Sequence, residues 1–230
     1  MRAVLVAPEC LREVAQIELA DDAHHHIATV LRMRAGDELL LLDGTGGSAR
    51  AKITAIDRRV VTVLRGEVER TLGSSPCDLL IITPKKDALD LMLKSATELA
   101  VRRIYLFRGT YSQEKLPDAK RVDALLRSAL EQSNARWLPE VRWLSKLEDL
   151  PVADYEHILL MEQGGECAAT ELTGAVLAAI GPEGGVSGPE REFLLGHAAS
   201  RILSLPTPIL RAPTALAAGV GWVIARRLRP

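Results

Sequence analysis

Residues 180–190 read Ile-Gly-Pro-Glu-Gly-Gly-Val-Ser-Gly-Pro-Glu, and they constrain the fold more than any other stretch. The preceding run, Gly174-Ala175-Val176-Leu177-Ala178-Ala179-Ile180, is short and apolar, which predicts a buried strand. Ser187 followed three residues later by Glu190 has the capping-box spacing that opens a helix. Strand, glycine-rich turn and helix start therefore follow one another. In open α/β sheets such a turn lies where ligands bind, beyond the carboxyl ends of the strands. It reads either as a tight turn alone or as a ligand site. It lacks the Lys of a phosphate-cradling loop, does not match G-x-G-x-x-G, and its Glu183 would repel a phosphate. An uncharged or cationic ligand suits it better than a nucleoside triphosphate.

The chain ahead of this unit has two textures. Residues 1–70 alternate short strand-like runs (3–6, 38–42, 49–56 and 60–64) with turns. Asp43-Gly44-Thr45-Gly46-Gly47 forms a hairpin turn between two of them. This predicts a small β-barrel with one helix over 23–31, capped by Asp21 or Asp22. His24, His25 and His26 fall in its first turn. Three consecutive residues cannot share a helical face, so the cluster is either solvent-facing or an RNA contact before it is a metal site. Residues 71–76 read as a linker. Beyond it strands and helices alternate: strands over 78–83, 104–107, 158–161 and 201–205, and helices over 87–99 (capped by Asp87), 122–131, 189–197 and 214–228. That pattern predicts a parallel sheet covered on both faces. The closing helix contains Gly219 and Gly221, each costing roughly 1 kcal/mol against Ala. They predict a close backbone approach, either at an intersubunit face or against a loop of the same chain.

Net charge is −1, which argues against strong nonspecific nucleic-acid binding, but the charge is uneven. Residues 147–195 carry 1 basic and 10 acidic side chains, and residues 196–230 carry 5 and 0. An RNA surface would draw on the first three-fifths of the chain and its C-terminal end. Aromatics are only 3% of residues, which excludes extensive base-stacking platforms. No apolar run is long enough to span a membrane. Cys10, Cys77 and Cys167 are scattered and unpaired in pattern, predicting reduced thiols in a cytoplasmic protein without a zinc site.

About twenty residues past the glycine turn comes Leu205-Pro206-Thr207-Pro208-Ile209-Leu210-Arg211-Ala212-Pro213-Thr214-Ala215. I-G-P-E-G-G followed by I-L-R-x-x-T-A resembles the bacterial 16S rRNA (uracil-N3) methyltransferases of the RsmE type, in the SPOUT superfamily. Further pieces agree in order: His25-His26 with Val30-Leu31-Arg32-Met33-Arg34 and Gly36-Asp37, then Lys85-Lys86-Asp87, Ala96-Thr97-Glu98-Leu99 and Glu131-Gln132-Ser133. The resemblance implies a PUA-like RNA-binding barrel over 1–70 and a trefoil-knotted α/β methyltransferase domain over 77–230. It also implies S-adenosyl-L-methionine as cofactor, 16S rRNA in the 30S subunit as partner, and a homodimer.

On that reading the cofactor sits between three turns, each after a predicted strand. These are Met161 and Glu162, then Gly181, Pro182 and Gly184, then Leu205, Pro206, Ile209 and Leu210. His25, Arg32, Arg34, Lys85 and Lys86 are the RNA-binding candidates; the two lysines read equally as solvated surface. Arg211 is the candidate for stabilising charge on the uracil carbonyls, or else a structural Arg holding loop carbonyls. Glu183 is the second catalytic candidate, accepting the N3 proton or holding a helix amide. The family pattern L-G-x-R-I-L-R-T-E-T-A is altered here by Pro206, Pro208 and Pro213, which remove backbone donors. The competing reading is therefore a non-catalytic RNA-binding protein with a degenerate cofactor site.

Overall fold

The computed structural model describes residues 1–12, 15–71, 77–164 and 172–227. Most of the linker stretch and Cys167 lie outside them. The chain divides into two compact units, one of residues 1–74 with 127–138, the other of 75–126 with 139–230. Residues 127–138, which the sequence assigns to the second domain, thus group with the first.

The first unit is a five-stranded curled sheet built from β1 (Ala3–Leu5), β2 (Gln16–Ala20), β3 (Glu38–Leu42), β4 (Gly47–Ile56) and β5 (Val60–Arg70), in the order β1-β3-β4-β5-β2. Alternate residues of each strand face one core. Leu39, Leu41, Ile53, Val61 and Val63 are all at most 1% exposed. Between β2 and β3 runs α1 (Asp21–His25), which passes into a π-helical turn over His26–Val30 and buries Ile27 completely. Asp21 and Asp22 lie inside the first turn of α1, and Ala20 is the capping position. In the hairpin turn, Asp43 Oδ1 accepts from the Thr45 and Gly47 amides at 2.7 and 2.8 Å. Gly46 has φ +96°, and a Cβ there would lie 2.5 Å from the Trp137 ring. Only glycine lets residues 136–138 pair against this turn, where the Gly46 amide donates to Arg136 O at 2.8 Å.

The second unit is a six-stranded, all-parallel sheet. Its elements are β6 (Cys77–Ile82), α2 (Lys86–Glu98), β7 (Arg103–Phe107), the first half of α3 (Ala119–Ser133, whose residues from 127 on belong to the first unit), β8 (Glu140–Leu144), β9 (His157–Met161), β10 (Val176–Ile180), α4 (Gly188–Leu195), β11 (Ser200–Leu203) and α5 (Ala212–Arg227). The order is β11-β9-β10-β6-β7-β8. Every residue of β6 and β10 is buried, as expected for central parallel strands covered on both faces. Asp87 sits in the first turn of α2 while Lys85 occupies the cap. The Cys77 thiol is buried, which pushes its pKa up to about 12 and makes it inert. Asp78, fully buried at the start of β6, is held by Arg102 at 2.7 Å and by the Tyr155 hydroxyl at 2.6 Å, so its charge is compensated.

The chain path positions the site. β10 leads through a turn to α4, and α4 to β11 on the far side of β9. The chain then returns to α5, which packs on α2, β6, β9 and β10. Residues 165–171, between β9 and β10, lie outside the described residues.

Candidate cofactor and RNA site

Three turns leave the carboxyl ends of β9, β10 and β11 and enclose a cavity of about 350 Å³. Its apolar wall comes from Met161, Ile180, Val186, Leu203 and Leu205. Its polar side chains are Glu162, Gln163, Glu183, Thr207 and Arg211. The turns are tied to one another. The Glu162 amide donates to Leu203 O at 3.3 Å and Gln163 Nε2 to Thr207 O at 3.4 Å. Gly185 has φ +78°, and its amide closes the glycine turn on Pro182 O at 2.9 Å. At Gly181 a Cβ would meet Val186 Cγ2 at 2.8 Å, so the turn folds back tightly on itself.

Most of the sequence-predicted contacts line this cavity: Met161, Glu162, Gly181, Pro182, Leu205, Ile209 and Leu210. Gly184 and Pro206 do not. Gly184 faces the Tyr111 side chain, with a would-be Cβ 3.2 Å from Tyr111 Cβ. Ile209 stands at the open rim, 85% exposed. The amides of Ile209 and Leu210 donate to no backbone carbonyl among the described residues, so both remain available beside an apolar wall.

Gly219 lines the cavity too, and its role differs from an intersubunit contact. A Cβ there would lie 2.4 Å from Met161 Cε, so the missing side chain makes room for Met161 within the same chain. A Cβ on Gly221 would meet nothing within 4 Å among the described residues.

The charged groups separate by partner. Glu162 pairs with Arg191 of α4 at 2.8 Å. Arg211 is exposed, and its guanidinium has no hydrogen bond or ion pair among the described residues. Glu183 is exposed and, among the described residues, holds no helix amide. Ser187 and Glu190 take that part through the capping box, with the Ser187 amide donating to Glu190 Oε2 at 3.0 Å. Glu190 also accepts from the Thr110 amide at 2.6 Å and Thr110 Oγ1 at 3.1 Å. Burial pushes its carboxyl up, but these donors outweigh burial and hold it below the usual carboxylate range. One carboxylate thereby fastens the loop after β7 to the glycine turn. Nothing in the sequence signals that link, because the partners are 80 residues apart.

Of the remaining candidates, Lys85 and Lys86 are exposed at the start of α2, where the Lys86 amide donates to Glu114 Oε1 at 3.1 Å. In the first unit Arg32 and Arg34 are exposed on either side of the buried Met33, Arg32 with φ +50°. The three histidines diverge. His24 bonds to Asp57 O at 3.0 Å, His26 approaches Glu131 at 3.9 Å, and His25 is exposed.

Comparison with known proteins bears on this arrangement. The model of an RNA methyltransferase domain matches residues 73–224, and that of an RNA methyltransferase PUA domain matches residues 19–64. The chain belongs to the RNA methyltransferase family. Among curated relatives of this RNA methyltransferase is the ribosomal RNA small subunit methyltransferase E of Rickettsia conorii. It is 28% identical over 93% of this chain and 91% of its own length. The protein of the same name from Synechocystis is 27% identical over 92% of this chain and 73% of its own length. Two solved structures share the fold of the methyltransferase. One is a Legionella pneumophila methyltransferase in complex with bound cofactor SAM, with TM-score 0.83 and 23% identity over 97% of this chain and 96% of the other. The other is the Neisseria gonorrhoeae ribosomal RNA small subunit methyltransferase E bound to S-adenosyl methionine, with TM-score 0.83 and 21% identity over 99% and 98%.

Proposed function

We propose that the protein transfers a methyl group from S-adenosyl-L-methionine to N3 of a uridine in small-subunit ribosomal RNA. The observation that carries this reading is the cavity built by the three turns, with Arg211 unpaired at its mouth. The residues present fit the cofactor. The volume is in the range of small-ligand sites, and the lining is apolar with few polar groups. The free amides of Ile209 and Leu210 beside that wall suit a purine edge, so the loss of donors at Pro206 and Pro208 leaves donors in place. Glu162 and Glu183 suit a cationic ligand and disfavour a nucleoside triphosphate.

Bound there, the cofactor supplies an electrophilic methyl group. Met161, Gly181, Pro182 and Leu205 hold and orient the ligand and exclude water, and this positioning contributes much of the rate. Gly184 and Pro206 shape the turns from behind. Arg211, free of structural partners, meets the uracil oxygens as N3 loses its proton. Glu183, free of helix amides, accepts that proton. His25, Arg32, Arg34, Lys85 and Lys86 contact the RNA, whose backbone rewards exposed cations. Calorimetry tests the cofactor assignment: heat with S-adenosylmethionine and none with ATP is expected, and the reverse would remove it.

The protein acts in the cytoplasm, where its substrate is assembled; among the described residues no helix is long and apolar enough to cross a membrane. It works as a homodimer through the outward face of α5, where Thr214, Ala217 and Gly221 leave room for a second backbone. Light scattering giving only the 25.0 kDa monomer at micromolar concentration would reject the dimer.

A further inference from the structure

The loop after β7 has a feature that the cofactor site does not use. Tyr111 is 50% exposed, and its hydroxyl has no hydrogen bond among the described residues. The chain has only three Tyr, three Trp and two Phe, and Tyr105 and Tyr155 are buried. Tyr111 is the one aromatic residue in the described turns 83–85, 108–115, 161–164, 181–187 and 204–211 at the carboxyl end of the sheet.

Its backbone is fixed as a buried turn would be. The Thr110 amide is held by Glu190 at 2.6 Å, and the Gly109 amide by Ser112 Oγ at 3.0 Å. Ser112 Oγ in turn accepts from Thr83 Oγ1 at 3.2 Å. The side chain rests on Gly184, whose neighbours Glu183 and Gly185 line the cavity. Exposed cations lie on the same rim: Lys85, Lys86 and Arg108. A rigid, half-bare ring beside cations has the chemistry of single-stranded RNA recognition, in which unstacked bases pile on aromatic side chains. Because the loop is already ordered, stacking costs little further entropy.

We propose that Tyr111 is a stacking platform for a base of the RNA substrate. That base belongs to a nucleotide adjoining the one methylated, because the ring lies one turn's width outside the cavity. This inference rests on the RNA methylation reading above. Tyr111 is a positioning residue: it touches RNA and takes no part in the proton or methyl step.

The test compares Tyr111→Ala and Tyr111→Phe in two assays. In methylation of 30S subunits lacking the modification, the Ala variant should lose about ten- to hundredfold in kcat/KM, mainly through KM for the subunit. The Phe variant should stay within about twofold. Cofactor affinity by calorimetry should be unchanged in both. In fluorescence anisotropy with a labelled fragment of 16S rRNA, the Ala variant should bind correspondingly more weakly. Wild type that binds this RNA but does not methylate it would sink the proposed reaction while leaving Tyr111 to be judged on binding. The inference is overturned if wild type does not bind the RNA, or if Ala leaves both assays unchanged. Loss of cofactor affinity in the Ala variant would make Tyr111 a prop for the glycine turn. A shift in its monomer–dimer equilibrium would make it an interface between copies, and Phe failing like Ala would mean that the hydroxyl matters; each overturns stacking.

Discussion

Glu190 offers the sharpest test of how the site is held. It is 8% exposed and accepts from the Thr110 amide at 2.6 Å, Thr110 Oγ1 at 3.1 Å and the Ser187 amide at 3.0 Å. A hydrogen bond to a charged group contributes about 1.5–3 kcal/mol, and an orphaned buried donor costs about 1–3 kcal/mol. Glu190→Ala strands two amides at once, so the loss should be about 3–4 kcal/mol. For a chain of this length each kcal/mol lowers Tm by roughly 2–4 °C, giving a drop on the order of 10 °C. Glu190→Gln keeps one acceptor and should cost about 1–2 kcal/mol. Glu192→Ala, exposed on the same helix, should stay within about 0.5 kcal/mol. Because the folded carboxyl lies below the usual range, its contribution is complete above the unfolded value and fades as pH falls through the folded one. The gap between wild type and Glu190→Gln should therefore hold steady above about pH 5 and narrow at lower pH. Denaturation curves at several pH values measure all of this. If Glu190→Ala melted with wild type, the carboxylate would not be the fastener between the two loops.

Arg211→Ala should lower kcat by about a hundredfold or more with cofactor affinity unchanged, and Lys should rescue poorly; single-turnover methylation with calorimetry checks this, and normal turnover would remove Arg211 from the mechanism. Gly219→Ala should gain helix propensity yet push Met161 into the cavity, weakening cofactor binding roughly tenfold without shifting oligomeric state; unchanged affinity would mean that Met161 relocates freely. His157 is 9% exposed; burial, with Arg201 nearby, holds its imidazole below the ordinary value. The unfolded chain takes up its proton first, so stability should fall as pH drops below about 6.5, and His157→Gln should flatten that slope in urea titrations; an unaltered slope would refute the assignment.

How much of this was legible in the sequence depends on the range of the interactions. β3 falls where its apolar run predicts, and the Ser187–Glu190 capping box is present, because both are set by neighbours in the chain. β2 and β8 escape a sequence reading. They are five-residue edge strands with polar outward positions, and their pairing partners β5 and β7 give them strand geometry. β5 runs on through Glu67 and Glu69 to Arg70 because β4 continues to pair with it. The cavity's turns were legible as polar or glycine-rich segments, each following a predicted strand. A close approach at Gly219 was legible from a glycine inside a helix, but its partner Met161 was not, nor were Tyr111 on Gly184 and Thr110 on Glu190, since each joins segments that only the folded sheet brings together.

The central claim is a methyl group on uridine N3. The direct measurement is nucleoside mass spectrometry of 16S rRNA after purified protein, isotopically labelled S-adenosylmethionine and unmodified 30S subunits are incubated together. The account predicts one labelled 3-methyluridine per subunit, greatly reduced with Arg211→Ala. Label on another nucleoside or another atom of uridine, or none from protein that binds both the cofactor and the subunit, would contradict it.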